Sequence, residues 1–263
     1  MTHPNPLSFI LSRIASAEHL FFGRAFGSGL RAWEAVVAVT LLVWLLCRFL
    51  FSLVLQARLA QGATGGMIVV LNGFPGTGKY TILKRVKALL PADNSSRLVD
   101  NHLLIDPVQA LYPDRSVAHH ALRQKIRDAF LPDIRTLAQE GHTVYMTVCL
   151  AADSDRDEDI FREHLALVDG TEVPLIWVNA FCDQNTLLDR VQSPDRTSSC
   201  KTKLTDPRVL ENLVKKHRLI NPEVLGGGLK NLVVRFLKTD GTVEESARDL
   251  LEIVSLSSSV EAR

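Results

Sequence analysis

The chain has 263 residues, and its 30 basic side chains are balanced by 29 acidic ones for a net charge of +1. That length suits one globular α/β domain with an appendage rather than two full domains, and the charge balance leaves no broad positive field to gather nucleic acid by counterion release. The four cysteines, Cys47, Cys149, Cys182 and Cys200, include no C-x-x-C pair, which argues against a zinc site and for reduced thiols in a cytosol-like compartment.

Composition changes near residue 62. Upstream, Ala35 to Leu55 is apolar except at Thr40, Arg48 and Ser52. On a membrane-insertion scale its Leu, Phe and Val residues sum to about −4 to −8 kcal/mol, against about +3 kcal/mol for Arg48 at the midplane. Arg48 is also near enough to the end of the stretch for its side chain to reach the headgroups. Residues 1–62 are therefore expected to carry a hydrophobic, membrane-spanning helix over 35–55. The alternatives are an amphipathic appendage or a targeting sequence later removed. Gly62 to Gly66 reads as a flexible link, and residues 66–263 as the folded domain.

Within that domain, short apolar runs alternate with helical patterns, which is the signature of a parallel sheet covered by helices. The expected strands are Met67 to Leu71, Arg97 to Val99, Thr143 to Cys149, Pro174 to Ala180 and Leu232 to Leu237. All are rich in Val, Ile or Leu, as strands buried on both faces must be. Ser116 to Gln139 carries Leu122, Ile126, Phe130, Ile134 and Leu137 at spacings of three and four, predicting a helix with that stripe against the sheet. The last helix repeats the device with Ala247, Leu250, Leu251 and Val254.

The first strand runs directly into Gly73-Phe74-Pro75-Gly76-Thr77-Gly78-Lys79-Tyr80-Thr81, and good helix formers follow to Leu90. Strand before and helix after are the context that a phosphate-binding loop requires. Its glycines let successive backbone N–H groups turn inward onto phosphates while the helix N-terminus adds its positive dipole end. Lys79 supplies a point charge for the β- and γ-phosphates. Nucleoside triphosphate is therefore the expected ligand, with Gly73, Pro75, Gly76, Thr77, Gly78, Lys79, Tyr80 and Thr81 forming its phosphate site. The position after the lysine holds Tyr80, and the hydroxyl comes one place later at Thr81.

This loop resembles that of adenylate kinase and its small-molecule kinase relatives, such as the chloramphenicol phosphotransferase type, written G-x-P-G-x-G-K-x-T. Asp189-Arg190-Val191 with Arg196 is similar to the group's lid entrance, and Lys238-Thr239-Asp240-Gly241-Thr242 to its adenine-side D-G-T turn. The resemblance implies a five-stranded parallel P-loop NTPase fold of the nucleoside-monophosphate-kinase type with a lid. It also implies ATP and Mg2+ as cofactors and a small-molecule hydroxyl or phosphate acceptor. Arg190 is then expected against the adenine together with Gly241, Arg196 at the phosphates, and Thr81 as the metal ligand. An ATP requirement puts the domain in the cytosol or an ATP-containing matrix, membrane-anchored if 35–55 inserts and cytoplasmic if it does not.

Two departures from the group matter. Asp100-Asn101-His102-Leu103-Leu104-Ile105-Asp106 stands where the group places its AMP-binding segment, and the third strand ends in Thr147-Val148-Cys149-Leu150 without a carboxylate. Magnesium is then held by Thr81, phosphates and water, with Asp100 or Asp153 assisting through water. Asp100, at a strand end beside the loop, is the candidate to take an acceptor proton, or alternatively a helix cap. Arg123 and Arg127 read as a solvated helix edge, or else as a clamp for an anionic acceptor. Lys79, Asp100 and Arg196 form the expected catalytic set. A nucleotide-binding or slowly hydrolysing module without an acceptor is the alternative.

Overall fold

The computed structural model describes residues 37–46, 48, 65–92, 95–197, 202–225 and 228–260. The chain divides into two units, Met1–Ala57 and Arg58–Arg263. In the first, positions 37–46 and Arg48 are helical with every side chain exposed, and the Arg48 guanidinium lies over the Trp44 ring at 4.7 Å. Among the described residues, no helix is long and apolar enough to cross a membrane. The expected span over 35–55 is thus not borne out there, and positions 35, 36, 47 and 49–55 lie outside the described residues.

The second unit is built on five parallel strands: β1 Met67–Asn72, β2 Ser96–Val99, β3 Thr143–Val148, β4 Leu175–Phe181 and β5 Leu232–Lys238. Their order across the sheet is β2-β3-β1-β4-β5, so β1 is central and the loop that follows it emerges mid-sheet. Strand ends differ from the expected ones by a residue or so, as the hydrogen-bond ladder rather than composition sets them. The helices are α1 Lys79–Leu89, α2 His102–Leu111, α3 Val117–Gln139, α4 Asp155–Ala166, α5 Gln184–Val191, α6 Pro194–Thr197, α7 Pro207–Lys216, α8 Pro222–Leu225 and α9 Val243–Val260.

Alternation along β1 divides the core. Ile68 and Val70 join Val144, Met146, Trp177 and, from α3 and α4, Leu131, Ile134, Ala138, Ile160 and Phe161. The opposite face buries Val69 and Leu71, and fully buried side chains of α1 (Ile82, Leu83, Val86) and α9 (Ala247, Leu250, Leu251, Val254) complete the set of core residues. Each side chain of this kind contributes roughly 1.5–3 kcal/mol on burial.

The stripe expected on α3 needs correction. Its buried residues are His119, Arg127, Leu131, Ile134 and Ala138, whereas Phe130 is 36% exposed and Leu122 and Ile126 are half-buried. The inward line is apolar in the second half of the helix and polar in the first. Helical periodicity counts only apolar residues and cannot see a buried arginine that another helix will pair.

Candidate active site

The loop after β1 is held open by backbone conformations that side chains resist. Gly76 and Gly78 have φ of +96° and +80°, left-handed values natural to glycine. A Cβ at Gly76 would also stand 3.1 Å from the Leu187 carbonyl and 3.2 Å from Leu187 and Val191 side-chain carbons. Thr77 closes the turn, with its N–H and hydroxyl both donating to the Phe74 carbonyl at 3.3 and 2.8 Å. Lys79 is half-buried and folds back on the loop, donating to the Gly73 and Phe74 carbonyls at 2.5 and 3.0 Å. Burial lowers the pKa of its ammonium. Nearby Arg196 adds to the lowering, while Cys149 and Asp100 oppose it. Burial pushes the Cys149 thiol up, so at neutral pH that thiol is uncharged.

Beneath the loop lies a polar network that pattern reading did not find. Asn72, fully buried, donates to the Asn179 side-chain oxygen at 3.0 Å and accepts from the Leu150 N–H at 2.9 Å. Asn179 in turn donates to the Ile220 carbonyl and accepts from Trp177 Nε1. These bonds tie β1, β4 and the segment after β3 together where the loop departs. Two asparagines inside apolar strands, at 72 and 179, were the available signal, because a buried amide must be paired.

On the β4–β5 side the structure brings five of the expected nucleotide residues to one cleft, Gly76, Gly78, Thr81, Arg190 and Gly241, whereas Gly73, Pro75, Thr77 and Lys79 do not line it. A cleft of about 260 Å³ is lined by Gly76, Gly78 and Thr81, by Arg190 and Arg196, and by Thr239 and Gly241. Arg190 Nη2 donates to the Gly241 carbonyl at 3.3 Å, joining the helix after β4 to the turn after β5. Arg196 Nε donates to the Leu204 carbonyl at 2.7 Å, and burial lowers its pKa. Lys203 lines the same cleft, although its Ser-rich neighbourhood reads as solvated loop. Tyr80 is 36% exposed and does not line the cleft.

On the β2–β3 side, Asp100 is 5% exposed and accepts from the Thr147 hydroxyl at 2.8 Å. Thr147 Oγ1 also accepts from the Asn101 N–H at 2.9 Å, pinning the start of α2 to β3. The N-cap position of α2 falls on Asn101, with no side-chain capping bond. His102 Nδ1 lies 3.0 Å from Asp106, and Thr202 N–H reaches Asp106 from the Arg196–Lys203 stretch at 3.4 Å. Asp153 is engaged elsewhere, 2.7 Å from His217 Nδ1, so the structure does not present it to the loop. Among the described residues, no group of three His, Cys, Asp or Glu side chains converges to hold a metal.

Arg127 is a second correction. It is 6% exposed, and its Nε donates to Glu163 at 2.6 Å, so it is a buried ion pair joining α3 to α4 and not a solvated edge. Arg123 is half-buried, and its Nε has no partner.

No protein family and no curated protein sequence matches the chain. Among solved structures it is similar to a putative kinase from Chloroflexus aurantiacus J-10-fl, with TM-score 0.50, 11% identity, 72% of this chain and 98% of that one covered. It is also similar to an unliganded sugar kinase from Janibacter sp. HTCC2649, with TM-score 0.48, 12% identity and 74% and 98% covered. A third is the Mycobacterium tuberculosis APS kinase in complex with AMPPNP and APS, with TM-score 0.44, 17% identity and 73% and 99% covered. The first of these carries the assignment, and at that identity it shows the fold alone. The domain has a P-loop kinase-type α/β fold.

Proposed function

We propose that the chain is an ATP-dependent phosphotransferase that moves the γ-phosphoryl group to a small-molecule hydroxyl or phosphate acceptor. The observation that carries this reading is the convergence, in one cleft, of Gly76, Gly78 and Thr81 from the loop with Arg190 and Arg196 from the stretch after β4 and Gly241 from the turn after β5. Lys79 meets the phosphates, Arg190 and Gly241 border the base, and Arg196 reaches the phosphates from the other wall of the cleft. Charge on a transferring phosphoryl group spreads over its equatorial oxygens, and cations closing over it stabilise that charge.

For a hydroxyl acceptor, a bond forms from its oxygen to the γ-phosphorus as the bond to the β–γ bridging oxygen breaks. ADP leaves with that electron pair, and the acceptor proton passes to the Asp100 carboxylate. Magnesium fits the Thr81 hydroxyl, which lines the cleft beside Gly78, with phosphate oxygens and water completing its shell and Asp100 assisting through water. It would neutralise phosphate charge.

The absence of a carboxylate at the end of β3 favours a second reading, a nucleotide-binding module that hydrolyses slowly. Incubation with γ-labelled ATP and a metabolite extract separates the two. Label transferred to an organic acceptor faster than phosphate is released supports transfer, and label appearing only as inorganic phosphate supports hydrolysis. Membrane attachment through 35–55 is a proposal that rests on hydropathy. Resistance of the full-length chain to alkaline carbonate extraction supports it, and release into the supernatant overturns it.

A further inference from the structure

The inward line of α3 runs His119, Arg123, Arg127, Leu131, Ile134, Ala138, at steps of four, four, four, three and four. Its C-terminal end lies by the start of β1, where a Cβ at Gly66 would touch the Ala138 carbonyl. The helix runs antiparallel to the strands, so the His119–Arg123 end is at the carboxyl edge of the sheet, where ligands of open α/β folds bind. The line turns from apolar to cationic there, against the ordinary cost of burying charge.

Only one of these cations is neutralised. Glu163 on α4 accepts from Arg127 Nε at 2.6 Å and Nη2 at 3.3 Å, and from Gln124 at 2.8 Å, which uses the carboxylate fully. Arg123, one turn nearer the edge, makes no hydrogen bond or ion pair among the described residues, and its Nε is buried. His119 is fully buried. Its Nδ1 donates to the Tyr112 carbonyl at 2.7 Å, and its Nε2 has no partner. Arg156, in the first turn of α4, has its Nη1 3.1 Å from His120 Nε2, which ties it to the same face of α3.

Of the carboxylates nearby, Asp157 accepts from the Ala151 N–H at 2.9 Å and faces both Arg123 and Arg156 through charge, and Asp114 accepts from the Ser116 N–H at 3.2 Å. Burial, then the charges of Arg127 and Arg115, presses the Arg123 pKa down to about 10, so the group still carries its charge at neutral pH. Asp157 opposes them and Arg156 crowds it further, so four arginines face one carboxylate and positive charge is in surplus. The segment that Asp157 grips continues into Leu150, whose N–H is bound by Asn72 at the root of the phosphate-binding loop. The cluster therefore adjoins the loop on the β3 side, opposite the cleft lined by Arg190 and Gly241.

We propose that the acceptor carries an anionic group, a carboxylate or a phosphate, and that Arg123, with Arg115 and Arg156, binds it at this edge. The proposal rests on the phosphotransferase reading for the word acceptor, but the anion site itself does not. An anion there supplies the partner that Arg123 lacks, and charge-assisted bonds to guanidinium are the strong ones in such sites. The neutral polyol class is then a poor substrate.

The test uses the full chain with a saturating non-hydrolysable ATP analogue filling the loop, titrated by calorimetry with inorganic phosphate and, in a separate arm, with malonate. The expected result is saturable binding of at least one of the two, tighter than chloride, with the better probe identifying phosphate or carboxylate as the group. Arg123→Gln weakens it by at least about tenfold, the loss of one charged hydrogen-bond donor, and exposed Arg156→Gln weakens it less, both with unchanged affinity for the analogue. Binding by the folded Arg123→Gln chain equal to wild type overturns the proposal, as does anion binding no tighter than chloride. If Arg123→Gln fails to fold, unchanged anion affinity in Arg156→Gln overturns it equally. Anion binding that needs Arg123 in a chain that ignores the analogue upholds the site and sinks the phosphotransferase reading instead.

Discussion

On the β4–β5 flank of the phosphate-binding loop, the cleft is lined by residues of the loop itself and of the segments that leave β4 and β5, such as Arg190 on the helix after β4 and Gly241 three residues after β5. On the β2–β3 flank, Asp100 directly follows β2 and Cys149 directly follows β3. The rest of that edge is drawn from α3 and α4, whose side chains meet through Arg127–Glu163 and Arg156–His120. A ligand shared by many proteins can be held by short local motifs, whereas a particular acceptor is held by whatever the helices bring. On the proposed reading the two flanks divide the labour of nucleotide binding and acceptor choice, and substitutions should separate them.

The largest separation is expected at Arg196, whose replacement by Ala should lower turnover by about 10²–10³-fold, the usual cost of one preorganised donor to transition-state charge. ATP affinity in the absence of turnover should change much less, and equal losses in both would reduce Arg196 to a nucleotide-binding residue. Next comes Asp100→Asn, which keeps an acceptor oxygen for the Thr147 hydroxyl and removes basicity. Acceptor phosphorylation should fall at least about tenfold, a conservative bound for a general base, with ATP affinity and melting temperature retained. Wild-type turnover in that variant would point to an ionised phosphate acceptor or to hydrolysis. Thr81→Ala should cost about tenfold in magnesium-dependent turnover, whereas Tyr80→Phe should be close to neutral because Tyr80 does not line the cleft. Equal effects would move the metal away from Thr81.

The smallest effect bears on the support behind both flanks. His164 is 2% exposed, donates from Nδ1 to the Ile160 carbonyl at 2.7 Å and packs edge-on to Trp177. Burial lowers its pKa below the ordinary 6.5. The unfolded chain then binds a proton that the folded one refuses, so this stability is present above pH 6.5. It is lost as pH falls from there toward the lower, folded-state pKa, by at most about 1.4 kcal/mol per pH unit. Thermal melts of wild type and His164→Gln across pH 5 to 8 should show the slope flattened in the variant. Parallel curves would assign the acid sensitivity to other groups.

The sheet and the loop were legible because their signals are local. Five apolar runs of strand length and one glycine-rich turn between strand and helix suffice, and the register merely adjusts their ends. Lys79, Thr81 and Asp100 could be located because each follows a strand closely. The α3 face could not, because whether Arg127 is solvated depends on Glu163 arriving from α4, 36 residues away in sequence. Lys203 illustrates the same limit, since a lysine in a polar segment is seen to line the cleft with Gly78 and Gly241 only in the folded chain.

The account rests on the loop holding a nucleotide triphosphate through Lys79, and calorimetric titration of ATP with magnesium into wild-type and Lys79→Ala chains tests that most directly. The predicted result is one ATP bound per wild-type chain and an affinity at least about tenfold weaker in Lys79→Ala, the loss of one charged partner to phosphate, with the melting temperature of the ligand-free chains unchanged. Equal ATP affinity in the folded Lys79→Ala chain would contradict it.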